Sequence, residues 1–391
     1  LPQQLELGRI NIPWQFDFIG DYETFLSISD KGGSICGRNH KSAMANAPKR
    51  AVTIQDVALA ANVSTKTVSR VINNESGVNA ETRARVAGIV KELDYRPNLN
   101  AQSLAGDRSF LLGLFIENPG SYVTDFQTGV IERCREAGYH LMVEPWKPND
   151  PDISTKVLNL LRQLRLDGVI LLPPHCDDPA ILDVLDKEGV PIVRIAPIQN
   201  RPDCPVIRAH DYVASRLMTA HLLNLGHRTI GFIRGCPGHS ATANRLQAFI
   251  DEMTQQGVEV DHDLIYPGDF SFDRAEISAR ELLSRPNPPT AIFASNDESA
   301  LAVLAVAQRM GIRVPEDLSV TGFDDTPASR MTWPQITTVR QPVKEIGWTA
   351  ADLLISLSPR RKGWPDPMPN KLLDFEIIVR QSTGPAKGDR S

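Results

Sequence analysis

Apolar residues along this chain recur with two different periods. Between residues 52 and 95 the spacing is helical. Ile54, Val57, Ala58 and Ala61 fall at i, i+3, i+4 and i+7, with Thr53 placed to cap the helix they predict. Asn62-Val63-Ser64 breaks the pattern, and Ser64 can cap a second helix from Thr65 to about Ile72, with Val68, Val71 and Ile72 facing inward. Asn79 caps a third, whose stripe is Val86, Ile89, Val90 and Leu93 and which leaves Arg83 and Arg85 outside. Two short helices across a three-residue turn, with alanine at the crossing and Val63 plugging the turn, predict a helix-turn-helix. Periodicity alone gives the same pattern for any short amphipathic helix pair, but the third helix allows all three to enclose one small core.

Pro97 ends the third helix, and Asn98 can cap a further helix of about two turns within YRPNLNAQSLAG (95–106). A helix that short is unstable alone in water and needs a partner helix or a DNA groove. Leu104 on it is either an apolar wedge of the kind that enters a minor-groove step or a linker leucine packed on a neighbour.

From Phe110 the period changes. Short apolar runs (111–116, 140–144, 168–172, 191–195) alternate with amphipathic helices (124–137, 153–164, 180–188). After a break at 199–205 the alternation resumes, with strands at 229–233, 291–294 and 318–323 and helices at 211–225, 241–256 and 298–310. Apolar strands followed by helices indicate parallel sheets buried on both faces. Two such sets predict two similar lobes with a ligand cleft beyond the carboxyl ends of the strands. The fold class is therefore α/β, an all-α helix-turn-helix head joined to a two-lobed domain with parallel sheets.

Residues 1–47 share neither period and lack the basic start and apolar core of a secretory signal. Met44 precedes a short basic arm that leads straight into the patterned helices. The expectation is that translation starts there and that 1–47 is an upstream extension or a flexible tail without function. The expected division is 1–47 extension, 48–96 head, 97–108 hinge helix and linker, 109–383 two-lobed effector-binding and dimerisation domain, and 384–391 flexible tail. The tail has no leucine heptads, so a dimer is expected rather than a tetramer.

Composition changes the picture in one place. The 391 residues are 41% hydrophobic and 23% charged, ordinary for a globular protein, and the net charge of −5 at first argues against a nucleic-acid partner. Residues 49–108, however, carry nine Lys/Arg against six Asp/Glu. A mildly basic head on an acidic body suits a protein that touches DNA at one end. No apolar run approaches a membrane span. Five cysteines, none in a CxxC pair, predict neither a disulfide framework nor a metal site, and point to a reducing cytoplasm.

The second helix exposes Thr65, Lys66, Ser69 and Arg70, donors able to read base edges in the major groove. Thr53, Ser64, Thr67 and Asn73 are short polar groups suited to phosphate oxygens. In the body, Arg245, Asn296, Asp297, Asp324 and Asp325 stand near strand ends, with Phe270 in the loop GDFSF. Carboxylates and amides bind vicinal hydroxyls, Arg donates in a fork and an aromatic ring stacks on the apolar face of a sugar. Asn296, Asp297 and Asp325 could equally cap helices. His210 and His239 lie near the cleft edge without a visible partner.

VTIQDVALAANVSTKTVSRVIN followed by YRPNLNAQSLAG resembles the headpiece and hinge helix of the LacI family of bacterial transcriptional regulators, and the resemblance continues through the body, covering about residues 50–383. It implies that Thr65, Lys66 and Arg70 read bases and that Leu104 is the intercalating hinge leucine. It implies a periplasmic-binding-protein-like sensor whose chain crosses between lobes three times, so that segments after about Ile336 return to the first lobe. It implies effector contacts at Arg245, Asn296 and Asp324, with Phe270 at the aromatic position. Many members have Arg where this chain has Gln102. Many have an acidic residue at Ala196-Pro197, and Asp-Asn where this chain has His210-Asp211.

The expected function is a sequence-specific regulator, a repressor, controlled by a sugar-like effector. Operator DNA and a second copy of the chain are its partners, and it needs no cofactor. Its expected place is the cytoplasm, at the nucleoid. The competing reading is a solute receptor without DNA binding. An enzyme is not expected, because GxGxxG and GxxxxGK[ST] phosphate cradles are both missing.

Overall fold

The computed structural model describes residues 52–72, 76–95, 108–356 and 368–387. The extension, Asn73 and the hinge residues Asn98, Gln102 and Leu104 lie outside the described residues.

The head is three helices, α1 (Ile54–Ala60), α2 (Thr65–Ile72) and α3 (Ala80–Glu92). Each starts where a side chain takes up an orphan backbone donor. Thr53 and Asp56 form a reciprocal box, the Thr53 N–H donating to Asp56 Oδ2 at 2.8 Å and the Asp56 N–H to Thr53 Oγ1 at 3.4 Å. Ser64 Oγ accepts from the Thr67 N–H at 3.1 Å, and Asn79 Oδ1 from the Thr82 N–H at 2.7 Å. Asn62, with φ 49°, reverses the chain between α1 and α2. Val57, Ala61, Val68 and Val86 are fully buried where the helices meet, while Val71, Ile72, Ile89, Val90 and Leu93 are half-buried around them.

The first lobe begins with β1 (Leu111–Ile116), α4 (Ser121–Ala137), β2 (His140–Pro145), α5 (Ile153–Gln163), β3 (Gly168–Leu171), α6 (Pro179–Lys187), β4 (Ile192–Ile195) and β5 (Val206–Ala209). The second contains α7 (Asp211–Asn224), β6 (Ile230–Ile233), α8 (Ser240–Gln255), β7 (Ile265–Tyr266), α9 (Phe272–Leu283), β8 (Ala291–Ala294), α10 (Asp297–Arg309), β9 (Ser319–Thr321), α11 (Pro327–Met331) and β10 (Thr338–Arg340). The chain ends with α12 (Val343–Ser356), β11 (Asn370–Leu373) and β12 (Glu376–Ile378).

Lobe one holds a six-stranded sheet ordered β11-β5-β4-β3-β1-β2, and lobe two a four-stranded sheet ordered β7-β6-β8-β9, with every pairing in both parallel. Strand alternation divides each sheet's apolar residues between two cores. Leu112, Leu114 and Ile116 pack with α4 and α12, and Phe115 with α5 and α6 on the opposite face. In lobe two Ile292 and Ala294 face α9 and α10, while Ala291 and Phe293 face α7 and α8.

The last segments divide between the lobes, which corrects the expectation that everything after about Ile336 returns to the first. α12 packs on α4, and β11 pairs with β5. β10 stays in lobe two, and β12 comes back to pair antiparallel with it. The assignment of 384–391 as a flexible tail is also corrected for 384–387. The Gly384 N–H donates to Ser319 Oγ at 3.0 Å and the Ala386 N–H to Leu225 O at 2.8 Å. Ala386 is buried. Polar composition suggested a free end, but these backbone donors satisfy acceptors at the margin of lobe two.

α4 and α12 approach closely enough that a Cβ at Gly129 would lie 1.8 Å from the Lys344 carbonyl oxygen. Gly129→Ala forces two backbones apart, and chemical denaturation should show a loss of about 1–3 kcal/mol or more.

Candidate functional site

Each sheet reverses its strand order once, between β1 and β3 in lobe one and between β6 and β8 in lobe two. A crevice opens beyond the carboxyl ends of strands at such a point. Here the two crevices face each other across one cavity of about 640 Å³, within the range that holds a small ligand. Its lining comes from the segment after β1 (Glu117 to Val123), the ends of β3, β4 and β5 (the last with Arg208), and the segments after β6, β7, β8 and β9. Direct contacts between the lobes border it: Ser121 Oγ donates to Glu298 Oε1 at 3.3 Å, and Ser240 Oγ to Ala196 O at 2.6 Å.

Arg245, Phe270, Asn296 and Asp324, singled out from the sequence, all line this cavity. Arg245 projects from α8 and is 4% exposed. Its guanidinium is committed to Asp211, with Nε 2.8 Å and Nη2 2.7 Å from Oδ1, while Nη1 donates to Ser295 O. The guanidinium carbon stands 3.6 Å from the Phe323 ring centroid. Asp324 lies farther off, at 3.9 Å from Nη2, and accepts one hydrogen bond, from Gln341 Nε2 at 2.7 Å. Burial pushes its carboxyl up to about 8; Arg245 and the Gln341 bond pull it down, while Asp297 and Asp211 add to the rise. Burial and the Asp324 and Asp211 carboxylates also push the Tyr122 hydroxyl up. One cation thus faces two carboxyls, and it is the farther one, Asp324, whose acidity burial weakens.

Phe270 and Asp324 have φ of 66° and 109°, rare for side chains with a Cβ and costly enough to need support from their surroundings. For Phe270 the support includes Gly235, where a Cβ would stand 2.1 Å from the ring, so only glycine lets the ring lie there. Asn296 caps α10 through the Ser299 N–H at 3.0 Å and donates from Nδ2 to Phe270 O at 2.8 Å. It positions the aromatic loop and keeps one donor hydrogen and one lone pair for a ligand.

Asp297 and Asp325, left open between capping and ligand contact, do not line the cavity. Asp297 accepts from the Thr326 N–H at 2.7 Å and from Thr338 Oγ1 at 2.6 Å; burial pushes its carboxyl up to about 6 against those bonds. Burial raises Asp325 as well, but Arg380 and Arg340 outweigh it and hold it low. Both tie β9 and its following turn to neighbouring strands. His210 sits 3.7 Å from Asp374 and is not part of the lining, whereas His239 is. Sequence reasoning missed Tyr122, Gln341 and Asp211 as cavity groups. For Asp211 the signal is its position at the first turn of α7, beside the helix that bears Arg245.

On the head, Thr65 and Lys66 are exposed on α2, and Thr67, Ser69 and Arg70 are half-buried along it. Thr53 and Ser64 serve as the caps of α1 and α2, which places both hydroxyls at helix N-termini; the Thr53 hydroxyl there also donates to Asp56 Oδ2 at 2.7 Å. Among the described residues no helix is long and apolar enough to cross a membrane.

A helix-turn-helix head on a two-lobed domain with a ligand cavity at paired switch points defines a DNA-binding transcriptional regulator with a small-molecule effector. The comparisons agree. Residues 53–98 match the model of bacterial regulatory proteins of the lacI family, and residues 219–383 that of the periplasmic binding protein-like domain. The chain is 36% identical over 341 residues to the HTH-type transcriptional regulator DegA of Bacillus subtilis (strain 168), covering 85% of this chain and 98% of DegA. It is 31% identical to the transcriptional repressor PurR of Escherichia coli, covering 78% of this chain and 89% of PurR. The lac repressor dimer bound to operator and the anti-inducer ONPF superposes with a TM-score of 0.68 at 30% identity, covering 86% of this chain and all of that one. The regulator CelR in complex with cellobiose gives 0.65 at 30%, covering 85% and 99%. The chain belongs to the LacI family of bacterial transcriptional regulators. Its relatives are regulators rather than enzymes, and the solute-receptor alternative is not favoured.

Proposed function

We propose that this regulator is a dimeric repressor whose operator affinity is set by a neutral, sugar-like effector in the cavity. The observation that carries the effector class is the charge of the lining. Five carboxyls (Glu117, Asp211, Asp269, Glu298 and Asp324) face two guanidinium groups, and one of these is already paired with Asp211. Such a cavity repels phosphates and nucleotides and suits a ligand rich in hydroxyl donors. Arg245, Asp324 and Asn296 hold the hydroxyls, and the Phe270 ring covers the apolar face of the sugar. Cellobiose, bound in the CelR complex, is a ligand of that chemistry.

At the other end Thr65, Lys66, Ser69 and Arg70 read base edges. Thr53, Ser64, Thr67 and Asn73 hold phosphates. The 97–108 segment, through Asn98, Gln102 and Leu104, enters the minor groove between half-sites. Two copies bind a pseudo-palindrome, in the cytoplasm at the nucleoid. Gel shifts with a selected operator test this reading. Arg70→Ala should cost about 1–3 kcal/mol at the base it reads and relax preference there. Binding and preference both unchanged in Arg70→Ala and in Lys66→Ala would remove the reading of α2 as the recognition helix. A thermal-shift screen of sugars and glycosides identifies the effector; stabilisation by phosphorylated ligands alone would contradict the charge argument.

A further inference from the structure

Three side chains at the cavity wall are not needed to hold a sugar. Glu117 follows β1 in the first lobe, and Cys236 and His239 sit in the β6–α8 loop of the second. Their donor atoms all lie within 4.8 Å of one another, and Glu117 Oε2 is 3.5 Å from His239 Nε2. The loop is built to present the pair. Cys236 O accepts from Thr242 Oγ1 at 2.7 Å, and Gly238, at φ 84°, turns the chain so that His239 comes back toward Cys236. The His239 ring is backed by Phe270, with centroids 5.6 Å apart. His239 Nε2 is buried and makes no hydrogen bond of normal geometry, its facing acceptor being Glu117 Oε2, so the atom is open to a ligand.

We propose that the cleft mouth binds a borderline-soft divalent cation of the zinc type, held by Glu117 from one lobe and by Cys236 and His239 from the other. The mixed sulfur, nitrogen and oxygen set selects zinc over magnesium or calcium, which take oxygen donors. Tetrahedral bonds of about 2.0–2.3 Å put donor atoms roughly 3.3–3.8 Å apart. The Glu117–His239 separation already meets this, and rotation of the Cys236 side chain closes the remainder. Three protein ligands leave a fourth position, and because all three residues line the cavity it is open to a water or to an effector hydroxyl. Cysteine binds such a cation as the thiolate, so the cation displaces a proton as it binds. The ligands come from both lobes, so the cation binds best when the lobes are together and shifts the protein toward that state. Its effect on operator affinity rests on the effector-regulated reading above; its binding does not.

The test uses neither sugar nor DNA, so its outcome is independent of that reading. Full-length protein, stripped with chelator and kept reduced, is titrated with Co2+ as a spectroscopic stand-in. One equivalent per chain should produce a thiolate-to-cobalt charge-transfer band and the visible bands of four-coordinate cobalt, both abolished by added Zn2+. In Cys236→Ser the charge-transfer band should vanish, and Zn2+ affinity should fall by more than the roughly 10–100-fold that loss of an outer-shell partner costs. Zn2+ should also protect Cys236 of the wild type from alkylation, read by mass spectrometry, a measurement that needs no variant to fold. Absence of the band in the wild type, its persistence in Cys236→Ser, or an alkylation rate unaffected by Zn2+ would each overturn the proposal.

Discussion

Arg245→Ala should unfold at least about 3 kcal/mol more easily than the wild type and should no longer respond to any sugar that the wild type binds. Arg245 is the cation between Asp211 and Asp324, and all three are almost fully buried. Its removal leaves Asp211 as a buried carboxylate without a counter-charge, a change that typically costs about 3–5 kcal/mol. For a domain of this size that is a drop in Tm of roughly 6–20 °C. The variant also loses the cation at the Phe323 face and the donor to Ser295 O. Arg245→Lys restores a charge but not the planar fork, so it should recover part of the stability and little of the effector response. An alanine variant that melts within about 2 °C of the wild type would show that Asp211 and Asp324 do not depend on this guanidinium.

The second large effect is a pH dependence at Asp324. Its carboxyl is held up near 8, whereas in the unfolded chain it ionises near the ordinary carboxylate value. Between those values the folded protein binds the extra proton, so stability falls as pH rises through the window. Below about pH 4 the group is protonated in both states and contributes nothing; above about 8 the full cost of the buried charge is present. Asp324→Asn should therefore melt close to the wild type near pH 4–5 and several degrees higher at pH 8. Effector hydroxyls donate to the ionised form, so sugar binding releases this proton and wild-type affinity should rise with pH toward 8, by up to about tenfold per unit. In Asp324→Asn the profile should be flat and the affinity at pH 8 lower by more than about tenfold. Calorimetric titration at three pH values decides this; an unchanged slope in the variant would assign the proton elsewhere.

Much of this was legible because parallel strands buried on both faces leave continuous apolar runs, and because helix starts carry Thr, Ser, Asn or Asp at the cap. LLGLFI and AIFA became β1 and β8 with the expected ends, and Thr53, Ser64 and Asn79 cap the three head helices. β5 escaped because VIRA is short and follows a Pro-rich break. α9 escaped although Ser271 caps it and Ala275, Ala279 and Leu282 form its inner stripe, because small residues weaken the apolar contrast. In the cavity, the four residues chosen from strand ends do converge. What no spacing could reveal is how each is occupied. Asn296 is spent largely on Phe270, and Arg245 on Asp211, and those partnerships join residues tens of positions apart. The Cys236–His239 pair is separated by two residues in the sequence, but its third member, Glu117, is far removed in the chain and is added only by the fold.

The path of the chain has a consequence for synthesis. The first lobe's sheet is closed by β11, and its helical layer by α12, both encoded after nearly all of the second lobe. A ribosome that has delivered β1 to β5 has therefore made only a partial lobe, with the apolar face that α12 will cover still open to water. Neither half can reach its final form as an autonomous intermediate, so both should acquire protection from proteolysis together, late in translation, and a fragment ending near Ala209 should be prone to aggregate.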